Sequence, residues 1–541
     1  MSTGGARMAL AVLALVAGAS LGAQQPAGPV TSADLIRGLE DPSKWLTFSG
    51  DYSGRRHSPL KQVTPENVHR LVPQWTFQTD TPGKFQATPI LLDGVLYVTG
   101  PNNVAWALDA RTGRQVWRYV RDLPESVVVC CGRVNRGFGI LGDNLYMATL
   151  DAHLLAMDRR TGSIAWDAVL EDNRNAYSST SAPLVVKDKV LIGVAGGEYG
   201  IRGFIDAYDA RTGKRAWRFY TIPAPGETGA ETWPRDNDSW KRGGAATWMS
   251  GSYDPELNLV YWGTGNAGPQ MFGDERLGDN LYAASVVALD ADTGRLRWHY
   301  QFTPHDVWDY DATHVPVLAD LTIGGQRRKV LLNANRNGFF YVLDRVTGAF
   351  LSGKPFVKTT WASEIGADGR PRLLPNTNPN EKGVHVCPSV IGATHYMPPS
   401  FDPALGLFFV TVREGCMDFY GWKVDYVPGE SFRGGAGVAN ADEHAYGALR
   451  AIDPATGERR WEFRYASPTS AGVMSTAAGL VFAGDSEGNF IAFEARSGKP
   501  LWHYQTGGTI NAAASTYVLD GRQHVLIGAG ATLTAFALPR P

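Results

Sequence analysis

Charge of one dominant sign is missing from this chain of 541 residues: 51 basic side chains stand against 53 acidic ones, a formal net charge of −2. With a pI near 6.6, there is no electrostatic footprint for nucleic acid or an anionic membrane, and neither is expected as a partner. Cysteine is scarce, with four residues at 130, 131, 387 and 416, and no Cys-x-x-Cys-His occurs. That excludes a c-type haem attached to this chain. Beyond the N-terminus no apolar run is long enough to span a bilayer, so no transmembrane segment is expected in the mature chain.

The one apolar stretch lies at the start, where Arg7 precedes Met8 to Ala19, followed by small residues to Ala23 and polar Gln24 and Gln25. An apolar run short of about 18 residues, ending in small residues, reads as a secretory signal peptide over 1–23. The mature protein is expected to be exported, and periplasmic in a Gram-negative cell. Disulfides persist there. Cys387 and Cys416 form the evident distant pair; a bond between the neighbours Cys130 and Cys131 would close an eight-membered ring of unusual geometry, of a kind met at functional sites.

Present in quantity are Gly (62), Pro (32) and Trp (16), which suit many short strands joined by tight turns. One phrase returns along the chain: an apolar strand, Asp, Thr-Gly, then Trp. It reads ALDARTGRQVW at 107–117, AMDRRTGSIAW at 156–166, AYDARTGKRAW at 207–217, ALDADTGRLRW at 288–298 and AIDPATGERRW at 451–461. Looser copies are VLDRVTG from Val342 and AFEARSGKPLW at 492–502. The phrase describes a hairpin, with Asp and Thr satisfying turn amides, Gly supplying positive φ, and Trp opening the returning strand. The acidic positions are 49, 51, 81, 54, 109 and 41 residues apart, the period of propeller blades with insertions. The strand-like end from Ala531 to Ala537 lacks its turn and Trp, and VPQWTFQ (72–78) looks like the missing partner. The expected fold is therefore all-β: an eight-bladed β-propeller with tryptophan-docking blade motifs, closed by N- and C-terminal strands in one blade. Residues 24–70 would form an N-terminal extension, and 71–541 the propeller.

Function in propellers sits in the loops at one mouth. The acid-rich TPHDVWDYD runs from Thr303 to Asp311. In an extended segment Asp309 and Asp311 share a face, and two such carboxylates need a cation between them or a shared proton. Asp306 reads as a turn residue. Elsewhere, GVAGGEYG (193–200) presents Glu198 and YWGTGN (261–266) presents Asn266. Oxygen ligands without His or Cys suit a hard cation such as calcium.

Together, the blade phrase, CCGRVNRG (130–137), AGGEYG, ATWMSGSYDP, YWGTGN, PHDVWDYD and NRNGFFYVLDR resemble the quinoprotein alcohol dehydrogenases, which use pyrroloquinoline quinone (PQQ). The resemblance covers nearly the whole chain after the signal peptide. It implies that Cys130 and Cys131 form a ring disulfide against one face of the quinone while Trp248 stacks on the other. Arg136, Thr180, Gly196, Gly197 and Thr247 match positions lining the cofactor, and Glu198, Asn266 and Asp309 match the metal site. Asp309 is the implied base and Arg336 the arginine beside the reactive quinone oxygens. Asp311, two residues after the base, resembles the lanthanide-dependent branch, so the ion is expected to be calcium or a lanthanide.

Four positions depart from the resemblance: Gln86 stands for a Glu at the cofactor, Ala195 for a Ser, His395 for an Asn, and Ser470 for a Trp. The implied activity is oxidation of a primary alcohol or related hydroxyl compound. Electrons would pass to a separate soluble cytochrome c, since this chain has no haem motif. The resemblance leaves a homodimer open. The rival readings are a sugar or polyol dehydrogenase with the same cofactor, and a non-catalytic propeller scaffold sharing only the blade phrase.

Overall fold

The computed structural model describes residue 1 and residues 28–440 and 443–540. Apart from Met1, the expected leader over 1–23 lies outside the described residues. No helix among them is long and apolar enough to cross a membrane.

The turn phrase folds as its chemistry dictates. In the first copy Asp109 Oδ1 accepts the N–H groups of Arg111 (2.8 Å) and Thr112 (3.2 Å), and Gly113 takes φ +71°. This turn joins strands Val104–Asp109 and Gln115–Val120, which pair with a bulge between Ala107 and Leu108. In five copies the Trp Nε1 donates to a backbone oxygen of the following repeat turn. Trp117 Nε1 donates to Arg159 O at 3.0 Å, Trp166 to Ala210 O at 3.2 Å, and Trp461 to Ala495 O at 2.9 Å. Strand Phe350–Pro355 carries no Trp, and the Lys354 stem lies over Gly457 instead.

Seven four-stranded sheets and one five-stranded sheet, each antiparallel through its repeat strands, make up the body of the described residues. In one of them Val72–Gln78 pairs with Thr532–Ala537, Trp75 opposite Ala535, so a strand from each end of the chain meets in a single sheet. The fifth strand of the largest sheet is His57–Ser58, parallel to Met474–Thr476. Nearby, the fully buried Arg56 donates to the backbone oxygens of Phe48 and Ala514 and to Thr88 Oγ1, tying residues before the repeats onto the sheets. Within the 109-residue interval between Asp344 and Asp453, a small sheet of Val384–Val386, Met417–Gly421 and Gly435–Val438 is fastened by the Cys387–Cys416 disulfide.

Candidate functional site

The loop 303–311 is anchored by its aromatic residues. Trp308 and Tyr310 are buried against Trp361, at 5.4 and 5.8 Å between ring centroids, and cap Thr377 O and Pro388 O through Nε1 and OH. Asp306 holds the turn by accepting from Trp308 N (3.0 Å) and Tyr310 N (2.9 Å). The segment is not the extended strand the spacing suggests: Asp309 takes φ +63°. Its carboxylate and that of Asp311 nevertheless converge, and the cation between them is Arg336. Nη2 donates to Asp309 Oδ2 at 2.9 Å and Nη1 to Asp311 Oδ2 at 2.8 Å, with Val390 O as a further acceptor.

Arg336 sits in the turn after strand Gln326–Ala334. The next residue, Asn337, donates to Thr303 Oγ1 (3.1 Å), Phe302 O (3.3 Å) and Tyr341 OH (2.9 Å), which sets the two loops in register. Asn266 follows strand Leu259–Gly263; its N–H donates to Asp311 Oδ1 at 2.7 Å and its Nδ2 to Ala267 O, leaving Oδ1 turned toward Gly197. Glu198 lies in the turn Gly197–Tyr199. That turn begins at Gly196, φ +121°, where a Cβ would fall on Ala176 O. The Glu198 carboxylate comes within 4.8 Å of both Cys130 and Cys131 sulfurs, which are bonded to each other.

On the other side, Trp248 Nε1 donates to Asp311 Oδ2 at 3.2 Å. Its ring lies 5.1 Å from the Arg136 guanidinium carbon and 4.9 Å from the His395 ring. Arg136 donates to Thr180 Oγ1 at 2.6 Å. Thr247 is adjacent, but its hydroxyl donates to Phe204 O and accepts Val194 N, so it faces the sheet interior. Gln86 is buried with Oε1 unpartnered; Arg136 Nε, Arg336 Nε and His395 Nε2 also lack hydrogen-bond partners among the described residues.

Electrostatics separate the acids. Burial pushes Asp309 well above the usual carboxylate range despite Arg336. Asp311 stays below that range: burial opposes ionisation, but its contacts with His395, Arg336 and the Asn266 amide outweigh it. Burial and Asp311 raise Glu198. His395, 3.9 Å from Asp311 Oδ2, is pushed down to about 3 by burial and the Arg336 charge, so its imidazole is neutral at pH 7.

Several contacts are absent from any sequence motif. Gln270 Nε2 donates to Asp309 Oδ1 at 3.1 Å. Phe432 N donates to Glu198 O, and Arg433 Nη2 lies 3.8 Å from Cys130 Sγ, so a late insertion borders the site. Arg413 reaches Thr469 O and Ser470 Oγ close by. The donor set fits a flat, anionic ligand and a hard cation: a broad indole, buried N–H groups left unpartnered, and carboxylates beside an amide oxygen.

Comparison with known proteins agrees with this chemistry. The family described as "PQQ: Glucose/ethanol/alcohol dehydrogenase, beta-propeller domain" matches residues 45–354, and "Outer membrane protein assembly factor BamB" matches residues 445–538. The chain is 37% identical to the quinoprotein alcohol dehydrogenase PedH of Pseudomonas putida, over 97% of this chain and 92% of that protein. It is 36% identical to a lanthanide-dependent methanol dehydrogenase of Methylacidiphilum fumariolicum, over 92% of this chain and 86% of the relative. A europium-containing methanol dehydrogenase superposes with a TM-score of 0.88 at 33% identity, covering 94% of this chain and all of its own. On this footing the chain belongs to the PQQ-dependent alcohol dehydrogenases, oxidoreductases built on a β-propeller.

Proposed function

We propose that this protein oxidises a primary alcohol or related hydroxyl compound to the aldehyde, with PQQ and one calcium or lanthanide ion. The observation that carries the reading is the grip of one guanidinium, Arg336, on two buried acids whose proton affinities differ, Asp309 and Asp311. When bound, the quinone supplies a two-electron acceptor and the ion supplies Lewis acidity.

The chain's own residues do the rest. Asp309 is the base that takes the substrate hydroxyl proton at a carboxylate oxygen. Arg336 and Gln270 hold that carboxylate in place. Glu198, Asn266, Asp309 and Asp311 are the proposed metal ligands. Trp248 and the Cys130–Cys131 pair are the proposed flat walls of the quinone slot, edged by Gln86, Arg136, Thr180, Gly196, Gly197, Thr247, Arg336 and His395. A ligand set that includes three acids favours an ion of high charge.

The fold in this reading is an eight-bladed propeller over 71–541, with the indole contacts described above docking blade on blade and 24–70 as an extension. The protein is exported to the periplasm, and a separate soluble cytochrome c accepts its electrons.

Reconstituting purified apoprotein with PQQ plus calcium or lanthanum, followed by dye-linked alcohol oxidation, tests the reading. Retained quinone absorbance after desalting and turnover are expected; neither, with either metal, would overturn it.

A further inference from the structure

Several buried arginines in this protein pair with acids, while Arg56 and Arg276 are taken up by backbone, hydroxyl and amide oxygens. Arg336 pairs with Asp309 and Asp311, Arg345 with Asp254 and Asp320, Arg450 with Glu414 and Glu462, and Arg218 with Asp206. Among the described residues Arg413, like Arg136, lacks both an acid partner and a full set of neutral acceptors. It ends strand Leu407–Glu414, where its backbone N–H donates to Ala393 O at 2.7 Å, two residues before His395. Its Nε donates to Thr469 O at 2.9 Å and its Nη2 to Ser470 Oγ. No carboxylate pairs with it among the described residues, and Nη1 has no protein acceptor there. The charge is only partly exposed and acts on both His395 and Arg336. A second guanidinium so placed is repelled by Arg336 and has lost much of its hydration. Such an arrangement is stabilised by an anion entering between the two cations and the Ser470 wall.

We propose that Arg413 is a carboxylate receptor in the wall of the redox pocket, taking a carboxylate either of the bound quinone or of the alcohol substrate. The planar fork, with one N–H edge spent on Thr469 and Ser470 and Nη1 still free, suits a carboxylate better than a neutral hydroxyl. The inference rests on the PQQ-dependent reading of the same site.

Two arms separate the sources. In the first, PQQ is titrated into lanthanum-loaded wild type, Arg413→Gln and Arg413→Lys, with binding followed by absorbance. In the second, the kcat/KM ratio for 4-hydroxybutanoate over 1-butanol is compared among the three. If the quinone supplies the carboxylate, Arg413→Gln weakens PQQ binding roughly ten- to a hundredfold and Arg413→Lys recovers part of it. If the substrate supplies it, PQQ binding holds and the ratio falls by a similar factor, again with partial recovery in Arg413→Lys. Unchanged PQQ affinity together with an unchanged ratio overturns the inference while leaving the enzyme reading intact. Wild-type protein that binds no PQQ overturns the enzyme reading itself, and the inference with it.

Discussion

Asn337 and Thr303 are joined by a 3.1 Å hydrogen bond from Nδ2 to Oγ1, and this bond aligns the turn carrying Arg336 with the loop carrying Asp309 and Asp311. The same amide serves Phe302 O and Tyr341 OH. Asn337→Ala removes the donor to Thr303 Oγ1 and leaves the Phe339 N–H without its Oδ1 acceptor, while Tyr341 OH still reaches Phe302 O, and is expected to cost about 1–3 kcal/mol. Since it also frees the arginine from its register, turnover should fall by more than KM rises. Thermal melts and steady-state kinetics on the same preparation check this; full kcat with lowered Tm would limit Asn337 to a structural part.

Asp311 is expected to discriminate between ions. Asp311→Ala should reduce lanthanum-supported activity by roughly 10–100-fold through lost metal affinity, and calcium-supported activity by much less. Because Asp311 also receives Asn266 N and Trp248 Nε1, the comparison between metals is the informative quantity. Equal losses with both ions would reduce its part to holding those two donors.

Acid sensitivity should be traceable to His314. It is buried, with Nε2 against Met397 O at 3.0 Å, and burial pushes its imidazole down to about 4 from an ordinary 6.5. The unfolded chain therefore binds this proton first. The stability it contributes is whole above pH 6.5 and is lost as pH falls toward 4, on the order of 3 kcal/mol in all. His314→Asn removes the titration, so the stability gap between wild type and variant should narrow as pH is lowered through that window. Urea midpoints at pH 7 and pH 4.5 measure it, and a constant gap would exclude the assignment.

The repeat turns should show a steric cost beyond their φ. Gly113 has φ +71° with a virtual Cβ 2.6 Å from the Trp75 ring, whereas Gly142 has φ +62° and nothing within 4 Å. Alanine at either pays for the left-handed backbone, but Gly113→Ala also overpacks the indole. It should be less stable than Gly142→Ala by about 1–3 kcal/mol in denaturant titrations. Equal stability would mean that Trp75 yields without cost.

Much of this was legible in the sequence because it is local. Asp109 and Gly113 encode their turn within five residues, and seven copies multiply the signal. The charge of Asp309 and Asp311 called for a cation or a shared proton between them, and the structure sets Arg336 there, although the extended geometry did not hold: Asp306 capping Trp308 and Tyr310 bends the segment. The Cys387–Cys416 pairing was similarly readable. What stayed hidden is long-range or directional. Nothing near Gln270, Arg413 or Arg433 marks them as neighbours of Asp309, Ser470 and Cys130, since those contacts join segments far apart in the chain. Nor does sequence reveal that the Thr247 hydroxyl turns inward to Phe204 and Val194.

Among the described residues the strand Val72–Gln78 finds its neighbour only in Thr532–Ala537, and Thr76 meets Thr534 at 3.1 Å across 458 residues of sequence. Until that late segment exists, the early strand presents a bare row of amides and carbonyls, a template for the wrong chain. Closing so large a loop is slow compared with forming any one hairpin. Vulnerability to aggregation is thus built into the order of synthesis, and it ends when Thr532–Ala537 is laid beside Val72–Gln78.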